Sequence, residues 1–553
     1  MHCFGEHRSG HLFDPWETLG VRRREILDKG WAGMFQAQIL LNLPVHHVAA
    51  HLKVGHGRPT KDLYVALGTL VLQQMYDMTD TAAAEAVAFN IAWHYALDIR
   101  NAKDAYVSER TIRNYRALVI EHGLDQVLFR NLTDHLMKVF KVDASHQRID
   151  STVLRSAMRK LGRLGVFTET IERFLRKLSQ KFPDEYGRLD EIVRNRYLDG
   201  GKGMCFGGGT KPSEAARHLA QAAEDLLDLI DRFADAPAAE LPAYKLMRRV
   251  LDEQCEVEPN DCGRKVVLKE KADGKSLQNP SDPDNTYNAH KGQGYMMQVM
   301  ETYDPEEPAT PPEADGTTTP TDESQQAQAH EPEQPLPPKP DLITFVAVNG
   351  MTDYDGDAVI PAIKETQERG VGPEDLSGDT SYGTANNPQA AAELGVELIS
   401  PAQPPKGSLQ GKLQLEDFVI GGDGLVVTCP AGRKPISLSV SPSGKNYQAR
   451  FDACANCPLR PACPVQDPRP SDKQAYRLQY DRPRLEMYRR RLAEKEPEFR
   501  QRYRWRAGIE ATMSRLKHVL GMGALRVRGL AAVTYEAFMG ALCLNIMRCA
   551  AAR

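Results

Sequence analysis

Two runs rich in β-formers, TYNAHKGQGYMMQVMETY (286–303) and LITFVAVNGMT (342–352), are separated by a stretch, 304–340, of 37 residues of which ten are proline. An intervening stretch of that composition, with nine acids against one lysine, cannot bury enough apolar surface to order itself. The two runs therefore read as neighbouring strands of one hairpin, with 304–340 as an outsized disordered loop. Downstream, DAVIPAIKETQERG reads as a helix, EDLSGDTSYG as a strand and turn, NPQAAAELG as a helix and VELISP as a strand. Strands interleaved with helices predict an α/β sheet. At 553 residues the chain exceeds what one hydrophobic core organises, so several domains are expected.

The remaining sequence is mostly helical in pattern. PTKDLYVALGTLVLQQM repeats apolar residues at Leu63, Leu67, Leu70 and Val71 behind a cap at Thr60, and SERTIRNYRALVIEHG is capped by Ser108 and stopped by Gly123. Arg110, Arg113 and Arg116 recur every three residues on the latter, with Ile112, Tyr115 and Val119 turned to a core. This fits a helix-turn-helix DNA reader and fits a plain helical bundle equally. HQRIDSTVLR (146–155) breaks the pattern with a short strand, and a long helical region follows to about residue 280. The glycine-rich stretch at 199–212 lacks the spacing of a phosphate-binding loop and reads as a flexible connection.

Charge is segregated. The net charge is −4, yet residues 480–530 hold fourteen Lys and Arg against six acids. A basic segment of this kind suits a polyanionic partner, although a solvated helix face has the same composition. The start of the chain has no apolar leader, and AFMGALCLNIM is too short to cross a bilayer. The chain is expected in the cytoplasm, where ten cysteines point to thiols or metal ligands rather than disulfides.

The basic segment contains RYRWRAGIEATMSRLKHV (502–519), one carboxylate among six cationic side chains including His518. On a continuous α-helix Tyr503, Arg506, Glu510 and Lys517 fall within a stripe ~60° wide. Two more acids stand where strands end: Asp150 after QRI, and Asp379 in LSGDTSYG. Three carboxylates converging on one cleft can hold two divalent cations about 3.5–4 Å apart, the arrangement that clamps attacking and leaving oxygens in phosphoryl transfer. Magnesium, or manganese in its place, suits such an oxygen donor set. Taken singly, an Asp after a strand is a common turn former and a Glu on a basic helix a common i,i+4 partner.

The pattern Tyr503-x2-Arg506-x3-Glu510-x6-Lys517 resembles the signature of bacterial insertion-sequence transposases of the DDE type, and Asp150 in RIDSTVL and Asp379 in GDTSYG resemble the family's first and second acidic motifs. The resemblance implies an RNase H-like mixed sheet with flanking helices, with Asp150, Asp379 and Glu510 as catalytic metal ligands. It also implies that Tyr503, Arg506 and Lys517 hold phosphates of the element's end, Arg by a bidentate contact, Lys as a point charge and Tyr through one hydrogen bond. The gap from Asp150 to Asp379 is long, and Asp353, Asp355 and Asp357 compete for the second position, Asp355 first among them. The expected organisation is an N-terminal all-α domain (1–140), a catalytic core beginning at 141–402 with a helical insertion at 155–280, a four-cysteine insertion at 403–478, the rest of the core at 479–530 and a C-terminal helix at 531–553.

Cys429, Cys454, Cys457 and Cys463 have the spacing C-x24-C-x2-C-x5-C. A C-x2-C pair in a tight turn offers two thiolates to one metal and two more complete a tetrahedral site, so structural zinc is expected, with an iron–sulfur cluster or four reduced thiols as alternatives. The function expected from the resemblance is metal-dependent cleavage of element ends followed by strand transfer, with DNA as partner and a homodimer in the synaptic complex, located at the nucleoid when DNA-bound. A nuclease of the same fold and a non-catalytic DNA-binding repressor are the alternatives.

Overall fold

The computed structural model describes residues 4–5, 7, 14–52, 60–198, 212–260, 263–305, 339–384, 386–403, 411–452, 454–468 and 475–553. The glycine-rich connection, apart from its last residue, and all but the two ends of the acidic proline-rich loop lie outside them.

The architecture is mixed α/β around one principal sheet. Strand β1 (His146–Leu154) lies at its centre. A hairpin of β2 (Cys255–Asn260) and β3 (Gly263–Leu268) belongs to the helical insertion, and β4 (Thr286–Asn288), β5 (Gly292–Thr302), β6 (Ile343–Gly350), β7 (Asp375–Gly378) and β8 (Glu397–Ile399) complete the sheet. β5 runs antiparallel to β1, with Asp150 opposite Val299, and β6 runs antiparallel to β5, with Val346 opposite Val299. On the other side of β1, β7 is parallel, with Ile149 beside Gly378, and β8 is parallel to β7. The order is therefore β6-β5-β1-β7-β8, with β4 paired to the first residues of β5. The two runs flanking the proline-rich stretch pair as neighbours, as their composition predicts.

Both faces of the sheet are covered. Ile149, Met300 and Phe345 pack under the helix Val359–Glu368 on one face. On the other, Leu154, Met297, Val299 and Val346 share a core with the helices Leu63–Met75, Glu109–Glu121, Leu124–Phe140 and Leu530–Ala551. The N-terminal helices thus have no core separate from the sheet and the last helix. Leu63–Met75 is capped by Asp62, which accepts from the Tyr64 N–H, rather than by Thr60. Ser108 caps Glu109–Glu121 and Gly123, at φ +61°, follows its end. On that helix Ile112, Tyr115 and Val119 are buried. Arg116 is taken up by Asp80 and Gln73, while Arg110 and Arg113 stay exposed.

The apolar stretch of the final helix is longer than AFMGALCLNIM alone. The helix begins at Leu530, and its 22 residues are apolar enough to cross a membrane by length and composition. Most of it is buried in the protein core, as expected of a helix that is apolar all round. Asn545 donates to the Ile343 carbonyl and accepts the Ile343 N–H, locking the helix to β6.

Two smaller cores stand apart. The insertion after β1 packs Phe167, Phe174, Leu226, Tyr244 and Met247 among its own helices. The cysteine-bearing region forms β9 (Val419–Ile420) with β10 (Val426–Thr428), and a three-stranded sheet of β11 (Ser437–Val440), β12 (Asn446–Phe451) and β13 (Tyr476–Asp481). β13 ends at Asp481, which caps the basic helix Arg482–Ala493 through the Arg484 N–H.

Candidate active site

Parallel register brings the first two acids together. Because Ile149 pairs with Gly378, Asp150, which lies within β1 opposite Val299 rather than at a strand end as expected, and Asp379, the residue that follows β7, come side by side. Ile149 points into the core under Val359–Glu368, so alternation sends Asp150 to the opposite face, towards the helix Ile509–His518. The Asp379 carboxylate accepts from the Ser381 N–H at 2.7 Å and its carbonyl accepts from the Ser400 hydroxyl at 2.5 Å. Tyr382 lies against Gly378, where a Cβ would meet its side chain at 3.0–3.1 Å, a tight fit.

A third carboxylate joins them, and it is Asp355. Its neighbours Asp353 and Asp357 are exposed, whereas the Asp355 side chain is 13 % exposed and accepts from Lys291 Nζ at 2.9 Å. Gln298 bridges the cluster from beneath, donating to Asp355 at 2.9 Å and accepting from the buried Tyr382 hydroxyl at 2.6 Å. The charges of Asp379 and Asp355 both act on Asp150. Burial pushes the Asp150 carboxyl above its ordinary value, Arg506 and the Ser151 N–H pull it down, and the two neighbouring carboxylates push it up. The balance is upward, so the Arg506 ion pair does not fully offset the other terms. Burial and all three carboxylates likewise push the Tyr382 phenol up.

The helix expected to carry the four-residue stripe is interrupted. An α-helix over Pro497–Tyr503 gives way to a 3₁₀ segment, Arg504–Gly508, before the helix Ile509–His518. The cause is tertiary. Buried Arg148 on β1 donates to the Trp505 carbonyl at 2.9 Å, and the Ile509 N–H, its α-helical partner, turns instead to Arg506 and Ala507. Gly508 sits against the Arg148 guanidinium, which any Cβ there would strike.

This break redistributes the expected residues. Tyr503 remains at the cluster: burial raises its phenol, Arg506 lowers it, and Asp379 and Asp150 raise it. Arg506 reaches Asp150 at 2.6 Å and Glu510 at 3.5 Å. Glu510 itself stands on the rim with its side chain 70 % exposed, as an i,i+4 partner of Arg506. Lys517 is half-buried two turns further on, about 10 Å along the helix. Lys291, Gln298 and Tyr382 escaped the sequence reading. A glutamine inside the apolar run YMMQVM was the available signal, because a buried amide needs partners.

Cys429, Cys454, Cys457 and Cys463 line one cavity of about 20 Å³ together with Phe451, Leu459 and Val465. All four are free thiols. Burial and the neighbouring cysteines push the Cys454 thiol up; burial does the same to Cys463, against the Val465 N–H and Arg460. As placed, no group of three or more His, Cys, Asp or Glu among the described residues, here or at the acids, is drawn in as a ligand shell. The cavity nonetheless has the volume of about one small sphere, and its polar donors are sulfur.

Two family models match the chain. Residues 428–550 match the transposase DDE domain, and residues 37–118 match the transposase domain (DUF772). Both support a DDE-type transposase. The first covers the four cysteines, the Glu510 helix and nearly all of the final helix; the second covers part of the N-terminal helices, from residue 37 to within Glu109–Glu121; Asp150 and Asp379 lie outside both. A DNA-cleaving and -transferring enzyme with DNA as partner is the function these families carry. No curated protein and no solved structure matches the chain.

Proposed function

We propose that this protein is a DDE transposase that cuts the ends of its element and joins the freed 3′-hydroxyl to target DNA, using divalent metal held by Asp150, Asp379 and Glu510. The observation that carries the reading is that Asp150 lies on β1 and Asp379 directly follows the adjacent parallel strand β7, beside a segment matched by a transposase DDE model. The strand order β6-β5-β1-β7-β8, with the first two pairings antiparallel and the last two parallel, supports an RNase H-like sheet. The donor chemistry fits magnesium or manganese, since the carboxylates supply oxygen alone. When bound, such ions supply charge for the attacking and leaving oxygens of an in-line displacement at phosphorus.

The chain's own residues supply position. Arg506 and Tyr503 lie within the charge field of both aspartates, so a phosphate held by them sits beside the acids. Lys517 extends the same basic track as a point charge. Four thiolates about the small cavity fit structural zinc, a cation that would counter the burial and the lesser mutual repulsion that raise the Cys454 and Cys463 thiols. Joining two element ends calls for two copies, so a homodimer is expected on DNA, in the cytoplasm at the nucleoid.

The test is cleavage of a labelled duplex made from the DNA flanking the coding sequence, with magnesium, manganese or chelator. Wild type should nick at a defined end in a metal-dependent way, and Asp379→Asn and Glu510→Gln should bind the duplex without cutting it. Cutting without joining would establish a nuclease instead, and binding unaffected by metal with no cut by wild type would establish a repressor.

A further inference from the structure

The four acids at the site are not equally available. Asp355 is committed to Lys291 and Gln298, and Asp379 has one oxygen on the Ser381 N–H. Asp150 and Glu510 share a single cation: one Arg506 guanidinium spans them, at 2.6 Å to Asp150 and 3.5 Å to Glu510. A cation already sits where a metal's charge would go. The arrangement leaves Arg506 incompletely satisfied, because its buried Nε has no hydrogen-bond partner. A phosphate placed against the edge formed by Nε and Nη2 would accept from both at once, a geometry that carboxylates and phosphates share. Arg506 also stands in the 3₁₀ segment Arg504–Gly508, and a 3₁₀ stretch within a helix often marks a hinge. If those five residues became α-helical, Glu510 would rotate by roughly 100° relative to Tyr503 and draw in by about 2.5 Å. That rotation returns Tyr503, Arg506 and Glu510 to one stripe.

We propose that Arg506 is a phosphate-released latch: in the DNA-free protein it occupies Asp150 and holds Glu510 on the rim, and a DNA phosphate draws it away so that both acids become free for metal. The inference rests on the metal-dependent reading above and adds to it an order of events. Metal and DNA then bind with positive coupling, which is reciprocal: each raises the affinity for the other by the same factor. The latch keeps a phosphodiester-cutting site weakly metallated until the substrate backbone is in place. No covalent step is added, and the guanidinium exchanges one anion for another.

The experiment measures Mn²⁺ binding to the full-length protein by calorimetry, with and without a short mixed-sequence DNA duplex, and uses no activity readout. The variants are Arg506→Gln, Arg506→Lys and Asp150→Asn. Removing the cation should tighten Mn²⁺ binding to the DNA-free protein on the order of tenfold or more, the scale on which an adjacent opposite charge competes for a carboxylate. Wild type should gain a similar factor on adding duplex, Arg506→Gln should gain little, and Arg506→Lys, which retains the charge but not the Nε–Nη2 edge, should keep Mn²⁺ binding weak without duplex and gain less than wild type on adding it. Circular dichroism of each variant separates a lost fold from a lost latch. If Mn²⁺ binds, is lost in Asp150→Asn, and is equally tight in wild type and Arg506→Gln, the latch is overturned and the metal site stands. If no protein binds Mn²⁺ with or without duplex, the metal-dependent reading falls and the latch with it.

Discussion

Replacing Glu301 with alanine is the perturbation to which the site's foundation is most exposed. Glu301 is a fully buried carboxylate on β5, and it accepts from Arg148 Nε at 2.8 Å, Arg548 Nη1 at 2.9 Å and the Thr512 hydroxyl at 2.6 Å. One side chain therefore ties β1, the Glu510 helix and the final helix together. Both arginines are largely buried; Arg148 keeps its pair with Asp341 at 2.9 Å, but removing the acid leaves the Arg548 guanidinium donating to the Asp341 carbonyl and the Thr512 hydroxyl with its carboxylate partner gone. Breaking a buried ion pair from one side costs about 3–5 kcal/mol. That converts to roughly two to three and a half powers of ten in the opening equilibrium of the elements it joins. Amide hydrogen exchange read by mass spectrometry should show this as faster exchange in Ile509–His518 and Leu530–Ala551, with the separately packed insertion core unaffected. The same network sets a pH dependence. Burial opposes the Glu301 charge, but Arg548, Arg148 and Thr512 outweigh it and hold the carboxyl below its ordinary value. Its stabilisation is thus complete above the usual carboxylate range and disappears as pH falls through the lowered folded value. Unchanged protection of the two helices in Glu301→Ala would refute the argument that this carboxylate fastens them.

Two further outcomes are expected. His7 is 8 % exposed and lies between Asp62 at 2.6 Å and Asp98 at 3.0 Å; burial disfavours its charge, yet the two aspartates raise its pKa from 6.5 to about 9. It should contribute about 3 kcal/mol in full below pH 6.5, lost as pH rises through 9, and an imidazole midpoint near 6.5 by NMR would contradict the pairing. Cys457→Ser should lower bound zinc, measured by elemental analysis of the purified protein, and reduce the thermal stability of the β11-β12-β13 module; full zinc content in that variant would remove Cys457 from the ligand set.

What could be read from the sequence depended on how local its cause was. Asp150 and Asp379 could be picked out as candidates from their local wording, although Asp150 lies within β1 rather than at its end, and strand register sets the two side by side. The C-x2-C pair was legible for the same reason, since a tight turn suffices to gather its sulfurs. The Glu510 stripe was not, because the argument assumed an unbroken helix. The interruption comes from Arg148, more than 350 residues away in the chain, which takes the Trp505 carbonyl. Asp355 entered only as a competitor for another position, since nothing nearby shows that Lys291 and Gln298 turn it inwards. The apolar length of the final helix was underestimated by counting only AFMGALCLNIM, although its all-round hydrophobicity already marked it for burial.

That helix also sets a timetable for synthesis. The Cys543 thiol donates to the Val71 carbonyl at 3.3 Å and Asn545 donates to Thr133 at 3.1 Å, across 472 and 412 residues of chain. On the ribosome, Leu63–Met75 and Leu124–Phe140 emerge long before the partner that covers them, with their apolar faces waiting. The nascent protein cannot close its first-made core until its last helix has left the exit tunnel. A message cut short before residue 530 would therefore yield an aggregation-prone fragment, and would leave the acids on a sheet with one face only partly covered.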